Sequence, residues 1–127
     1  MRILVLGSGA REHAIILALR SEEASHAIFA APGNAGIARE AHLVDLDPMN
    51  PTAVLEFAKS EAIDLVVVGP EAPLVAGVAD PLRAHGIPVF GPGKAAAQLE
   101  GSKTYAKRIM DAAGVPTGGA VRAHDRD

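Results

Sequence analysis

Short apolar runs alternate along this chain with stretches whose apolar residues recur at helical spacing. Arg2 to Leu6 is a β-branched and leucine run of the kind a strand buried on both faces shows, and Ala14, Ile15, Leu17, Ala18 and Leu19 follow it as a helix. His26 to Ala31 predicts a second strand, closed by the turn residues Pro32-Gly33-Asn34, and His42 to Leu46 a third. Asn50-Pro51 reads as a helix cap followed by proline at the first helical position, with Val54, Leu55, Phe57 and Ala58 as the apolar face behind it. Ile63 to Val68 is the strongest strand signal and ends at Gly69-Pro70. A helix is expected next, from about Pro73 to His85, stopped by Gly86, and then a short strand from Ile87 to Phe90. Strands and helices in this alternation predict an α/β fold: a Rossmann-like open parallel sheet with helices on both faces and right-handed crossovers.

The pattern changes after Pro92. Lys94 to Glu100 and Ser102 to Ala113 read as two helical pieces parted by Gly101, and the closing stretch TGGAVRAHDRD has no apolar stripe. The segment from Thr117 to Asp127 is therefore expected to pack loosely.

Composition narrows the classes of function. A chain of 127 residues is long enough for one domain with a single core and too short for two well-developed domains, and 49% apolar content with 21% charged residues describes an ordinary globular protein. The net charge of −3 and the scattered Lys and Arg leave no footprint for nucleic acid or an anionic membrane. Cysteine is absent, which removes disulfides, a thiolate nucleophile and Cys-type zinc sites and fits a reducing cytoplasm. No apolar run reaches the roughly 18 residues of a membrane helix, and Ile3 to Leu6 is too short for a signal-peptide core. The five histidines share no metal-ligand spacing, so no metal site is assigned. The expectation is a cytoplasmic protein that binds a small molecule; the sequence does not give its oligomeric state, with a monomer favoured.

Glycine marks three strand ends: Gly7-Ser8-Gly9, Gly33-Asn34-Ala35-Gly36 and Gly69-Pro70-Glu71. Ligands of open parallel sheets bind outside the carboxyl ends of the strands, so three such loops on one edge would form one cleft. Glycine allows close backbone approach, and a helix opening after Gly9 would aim N–H groups at an anion. A dinucleotide site needs a third glycine at position 12, which is Glu12, and an acidic residue about 20 positions on; Phe29 to Ala35 contains none. No Walker phosphate loop is present. Arg11 and Glu12 either pair on the helix surface or border the cleft, and the residues do not decide between these. No catalytic acid, base or nucleophile stands out. A stand-alone module that binds a nucleotide or phosphosugar without chemistry is thus one reading of the residues.

The ordered motifs VLGSGAREHA, APGNAG, VVVGPEAPLVAG, IPVFGP and QLEGSKTYAK resemble the N-terminal part of the phosphoribosylamine–glycine ligase family, also called glycinamide ribonucleotide synthetases. The resemblance runs from Met1 to about Thr117, with Ala10 where the family usually has a second consecutive glycine. It implies the ATP-grasp superfamily: glycine's carboxylate is phosphorylated by ATP and then captured by the amine of 5-phosphoribosylamine, in purine synthesis. It further implies that 1–101 is the pre-ATP-grasp, substrate-binding domain and 102–127 the start of the ATP-grasp region. Gly7, Ser8, Gly9, Asn34, Gly36 and Glu71 would then face the phosphoribosyl substrate, with Glu71 accepting hydrogen bonds from ribose hydroxyls or, alternatively, only favouring the dipole of the next helix. Lys103 matches the lysine that reaches ATP phosphate in the full-length enzymes, where ATP with Mg or Mn would bind. This chain alone is expected to be inactive.

Overall fold

The computed structural model describes residues 1–121. Five strands, β1 (Arg2–Gly7), β2 (Ala27–Pro32), β3 (His42–Leu43), β4 (Leu65–Val68) and β5 (Val89–Phe90), form one parallel sheet in the order β3-β2-β1-β4-β5. The chain leaves β1 for β2 and β3 on one side and then returns across the sheet to β4 and β5. Strand order therefore reverses between β1 and β4, where open sheets of this type place their ligand crevice.

The two-residue period of the strands divides their side chains between two cores. Leu4, Leu6, Val66 and Val68 cluster with Val54 and Ala58 of α2 (Pro51–Ser60), Leu74 of α3 (Glu71–Ala76) and Leu82 of α4 (Ala79–Ala84). Ile3, Val5, Ile28, Ala30 and Val67 cluster with Ile16 of α1 (Ala10–Arg20) and with Ile37, which opens a 3-10 turn over Ile37–Arg39. The fold is thus the expected α/β sheet with helices on both faces. α5 (Lys94–Gly101) reaches the first core through Ala97, while α6 (Lys103–Ala112) buries none of its residues.

Several local expectations are corrected. The single helix from Pro73 to His85 is two, because Gly77 takes the left-handed conformation (φ 96°) and its N–H closes α3 on Pro73 and Leu74 carbonyls. α3 also begins earlier, at Glu71; Pro73 is tolerated there because first-turn amides have no intrahelical acceptor. β3 keeps only His42 and Leu43 of the run to Leu46; both are exposed at the sheet edge, while Val44 and Leu46 turn onto the core. β4 starts at Leu65, behind Asp64, whose carboxylate accepts the Arg2 N–H at 2.6 Å while its own N–H meets the Arg2 carbonyl. On α1 the buried positions are Glu12 and Ile16, one turn apart, and Leu17 is exposed. Charged and apolar residues are spread round this helix, so periodicity alone does not mark its inner face.

The cap of α2 is as expected: Asn50 Oδ1 accepts the Ala53 N–H at 3.1 Å ahead of Pro51. Asn50→Ala should lower stability by about 1 kcal/mol in urea unfolding. A change below a few tenths would show that Pro51 fixes the helix start unaided. Residues 117–121 are exposed, and Lys107 Nζ donates to Thr117 Oγ1 and the Gly118 carbonyl, each at 2.5 Å. The rest of the tail expected to be loose, 122–127, lies outside the described residues.

Candidate functional site

The ends of β2, β1 and β4 lie side by side. Gly33 donates its N–H to the Gly7 carbonyl at 3.1 Å, and Gly69 donates to the Leu6 carbonyl at 3.0 Å. The sheet register therefore brings the three glycine loops to one edge, as three consecutive neighbours.

Asn34 ties two of these loops together. Its Nδ2 donates to the Ser8 carbonyl at 2.8 Å, while Oδ1 accepts the Gly36 and Ile37 N–H groups at 2.8 and 2.9 Å. One side chain thus caps the 3-10 turn and braces it against the β1–α1 loop. Gly36 makes room for His13 here: a Cβ on it would lie 2.8 Å from Cε1 of that ring, on α1. Gly7, Ser8, Gly9, Asn34 and Gly36 are accordingly brought together, with Ser8 and Gly9 exposed at the rim. Ala10 is exposed at the first position of α1, where its methyl group meets no crowded interior.

The residue that sequence reasoning left undecided is the most informative one. Glu12 is buried, at 3% exposure, while its neighbour Arg11 reaches outward. Glu12 Oε2 accepts the Gly9 N–H at 2.7 Å and Oε1 accepts Arg11 Nε at 3.0 Å. The carboxyl group lies in the space that three glycines leave open. A Cβ on Gly7, Gly9 or Gly69 would come within 2.7, 2.9 and 1.8 Å of its atoms. Between the two alternatives left open, Arg11 and Glu12 do pair, with the carboxylate buried beneath the glycine loops and the guanidinium exposed. The clue was available: glutamate three residues after a helix N-cap is the reciprocal half of a capping box, and position 12 is where a dinucleotide fold keeps a glycine for tight helix–strand packing.

This geometry also changes what the loops offer an anion. The Gly9 N–H is taken by Glu12, and those of Gly36 and Ile37 by Asn34. The amides at the start of α1 that have no acceptor among the described residues are those of Ala10, Arg11 and Glu12.

Glu71 stands on the same edge, two residues beyond Gly69. It is exposed at the first position of α3, and among the described residues its carboxylate accepts no hydrogen bond. Pro70, not Glu71, is the N-cap residue, so a capping hydrogen bond is not what occupies this carboxylate. Lys103 stands on α6, which follows α5 and not one of the glycine loops. It is exposed at the start of α6, next to a cavity of about 470 Å³ shared with Lys107, Arg108 and Asp111. Among the described residues, no group of three or more His, Cys, Asp or Glu side chains could hold a metal ion, and no helix is long and apolar enough to cross a membrane.

Comparison with known proteins agrees with this architecture. The family model of the phosphoribosylglycinamide synthetase N domain matches residues 1–100. The phosphoribosylamine–glycine ligase of Leifsonia xyli subsp. xyli is 72% identical over 124 residues, 97% of this chain and 30% of that protein. The ligase of Agrobacterium fabrum is 55% identical over 122 residues, 96% of this chain and 29% of its own length. Among solved structures, phosphoribosylamine–glycine ligase from Thermotoga maritima superposes with a TM-score of 0.60 at 32% identity, over 90% of this chain and 25% of that one. N5-carboxyaminoimidazole ribonucleotide synthetase from Thermus thermophilus gives 0.69 at 25% identity, over 91% and 31%. The chain thus spans about three-tenths of the length of the curated relatives it matches. With a family model covering residues 1–100 and these identities along nearly all of its length, the chain belongs to the phosphoribosylamine–glycine ligase family, matching its N-terminal domain.

Proposed function

We propose that this chain supplies the phosphoribosylamine side of the active site of a ligase that joins glycine to 5-phosphoribosylamine, with ATP converted to ADP and phosphate. The names of its relatives support the reaction, and the exposed carboxylate of Glu71 beside the β1/β4 switch point carries the assignment of the side. In this reading 1–101 binds the phosphoribosyl substrate and 102–127 opens the ATP-grasp region, with the boundary at Ser102, which ends α5 and caps α6. ATP and its magnesium or manganese belong to the whole enzyme. Lys103, with Lys107 and Arg108 beside it, has the charge to meet ATP phosphates there. The working compartment is the cytoplasm.

Each loop then has a task. Glu71 accepts hydrogen bonds from ribose hydroxyls, a two-oxygen acceptor meeting two donors. Ser8 and Gly9 form the rim over which the sugar lies, and Asn34 and Gly36 hold that rim in place. The reaction on glycine proceeds through an acyl phosphate: its carboxylate oxygen takes the γ-phosphoryl group of ATP, the amine attacks the carbonyl carbon, and phosphate departs. This domain's contribution is to present the amine in a fixed orientation.

In a complete ligase carrying this sequence as its first domain, Glu71→Ala should raise KM for phosphoribosylamine about ten- to a hundredfold. That corresponds to roughly 1.5–3 kcal/mol for hydrogen bonds to a charged group. The constants for ATP and glycine should stay within about twofold, because the change lies on the sugar side. Unchanged phosphoribosylamine kinetics together with a lower melting temperature would return Glu71 to the helix dipole alone.

A further inference from the structure

Glu12 is the one buried charged side chain in the described fold, and neither the expected substrate contacts nor the packing of the two cores accounts for it. Taking a carboxylate out of water costs several kcal/mol unless its lone pairs are used, and sequences seldom keep one without a task. Here the lone pairs are used in opposite directions. Oε2 holds the β1–α1 loop through the Gly9 N–H, while Oε1, held by Arg11 Nε, lies against Gly69 in the β4–α3 loop so closely that no Cβ fits between them. Those two loops flank the point where strand order reverses, and Glu71 follows Gly69 by two residues.

We propose that Glu12 is a positioning residue that joins the β1–α1 and β4–α3 loops into one floor, fixing Glu71 relative to the Gly7–Gly9 rim. The part that concerns Glu71 rests on the phosphoribosyl reading above; the coupling of the loops does not. The carboxylate also fills the space beneath the glycines with fixed negative charge. A dinucleotide pyrophosphate, which needs that close approach, is excluded by volume and by repulsion.

Glu12→Gln isolates the role. Gly9 and Arg11 donate to different oxygens, and an amide keeps only one of the two, so whichever way it turns its NH2 group faces one of these donors. In the 127-residue chain, amide exchange at Gly9 and Gly69 should accelerate at least tenfold, while that at Val5 and Val67 in the strand centres should change less than twofold. Exchange at Gly69 that stays at the wild-type rate, or a uniform acceleration at all four sites, overturns the coupling. In the complete ligase the same substitution should raise KM for phosphoribosylamine about fivefold without moving those for ATP or glycine. Added to Glu71→Ala it should bring less than a further twofold, since a misplaced partner that is already absent cannot be misplaced again. Full additivity overturns the positioning of Glu71. If Glu71→Ala alone leaves phosphoribosylamine use intact, the functional reading fails and the exchange result still decides the coupling. Should the glutamine variant not fold, Glu12→Asp keeps the charge but is one methylene too short to span both loops, and is expected to give the same exchange pattern.

Discussion

Gly69→Ala is expected to cost the domain about 3–5 kcal/mol, although the substitution adds one methyl group and the backbone at Gly69 lies outside the left-handed region. The cost comes from occupied space. A Cβ there would stand 1.8 Å from Glu12 Oε1, 2.4 Å from its Cδ and 2.6 Å from its Cγ, so the whole carboxyl group must leave. Forcing a methyl into a filled site typically costs about 1–3 kcal/mol through off-rotamer shifts. Moving the carboxylate also breaks the bond from Gly9 at 2.7 Å, and losing a hydrogen bond to a charged group costs about 1.5–3 kcal/mol more. Gly118→Ala is the matched control: its added Cβ would meet nothing within 4 Å, and its effect should stay within about 0.5 kcal/mol. Urea unfolding of the two variants measures both. A loss below about 1 kcal/mol for Gly69→Ala would mean that Glu12 can leave its seat freely, and the joined floor would go with it.

The parts of the fold that could be read from sequence are those whose cause is local. The Leu4, Leu6, Val66 and Val68 positions sit in unbroken apolar runs because parallel strands are buried on both faces, and such runs need no partner to be recognised. Asn50-Pro51 announces α2 through a hydrogen bond three residues long. The split at Gly77 was less visible, since an apolar stripe runs through Leu74, Val78 and Leu82 with or without a break. The glycine loops were legible as a group, yet which side chain each glycine makes room for was not. Gly36 yields to His13 and Gly69 to Glu12, partners 23 and 57 residues away along the chain, and only the closed sheet brings them together. Asn34 shows the same limit: its oxygen accepts two amides and its Nδ2 donates to the Ser8 carbonyl, contacts across the folded loops that sequence spacing does not display.

Ile37 shows the same limit on the core side, and its truncation should be the costliest of the simple core changes near the site. It lies in GNAGIARE, a stretch with no strand or helix period, yet it is fully buried and clusters with Ile16, Ile28 and Ala30 beneath the 3-10 turn. Its N–H is the one that Asn34 Oδ1 accepts at 2.9 Å, and its carbonyl takes the Glu40 and Ala41 N–H groups at 2.9 Å. Side chain and backbone therefore fasten the second glycine loop to the sheet at a single residue. Ile37→Ala should lower stability by about 2–5 kcal/mol, the range for emptying a buried aliphatic site. Leu43→Ala, at an exposed edge position of 46% accessibility, should cost under about 1 kcal/mol. Because the lost anchor lies directly behind Asn34, amide exchange at Gly36 and Ile37 should accelerate more than the global loss of stability requires, while Gly9, held by Glu12, should follow the global change only. Equal acceleration at Gly9 and Gly36 would show that the three loops open as one unit, and that Asn34 carries strain across the rim as firmly as Glu12 does beneath it.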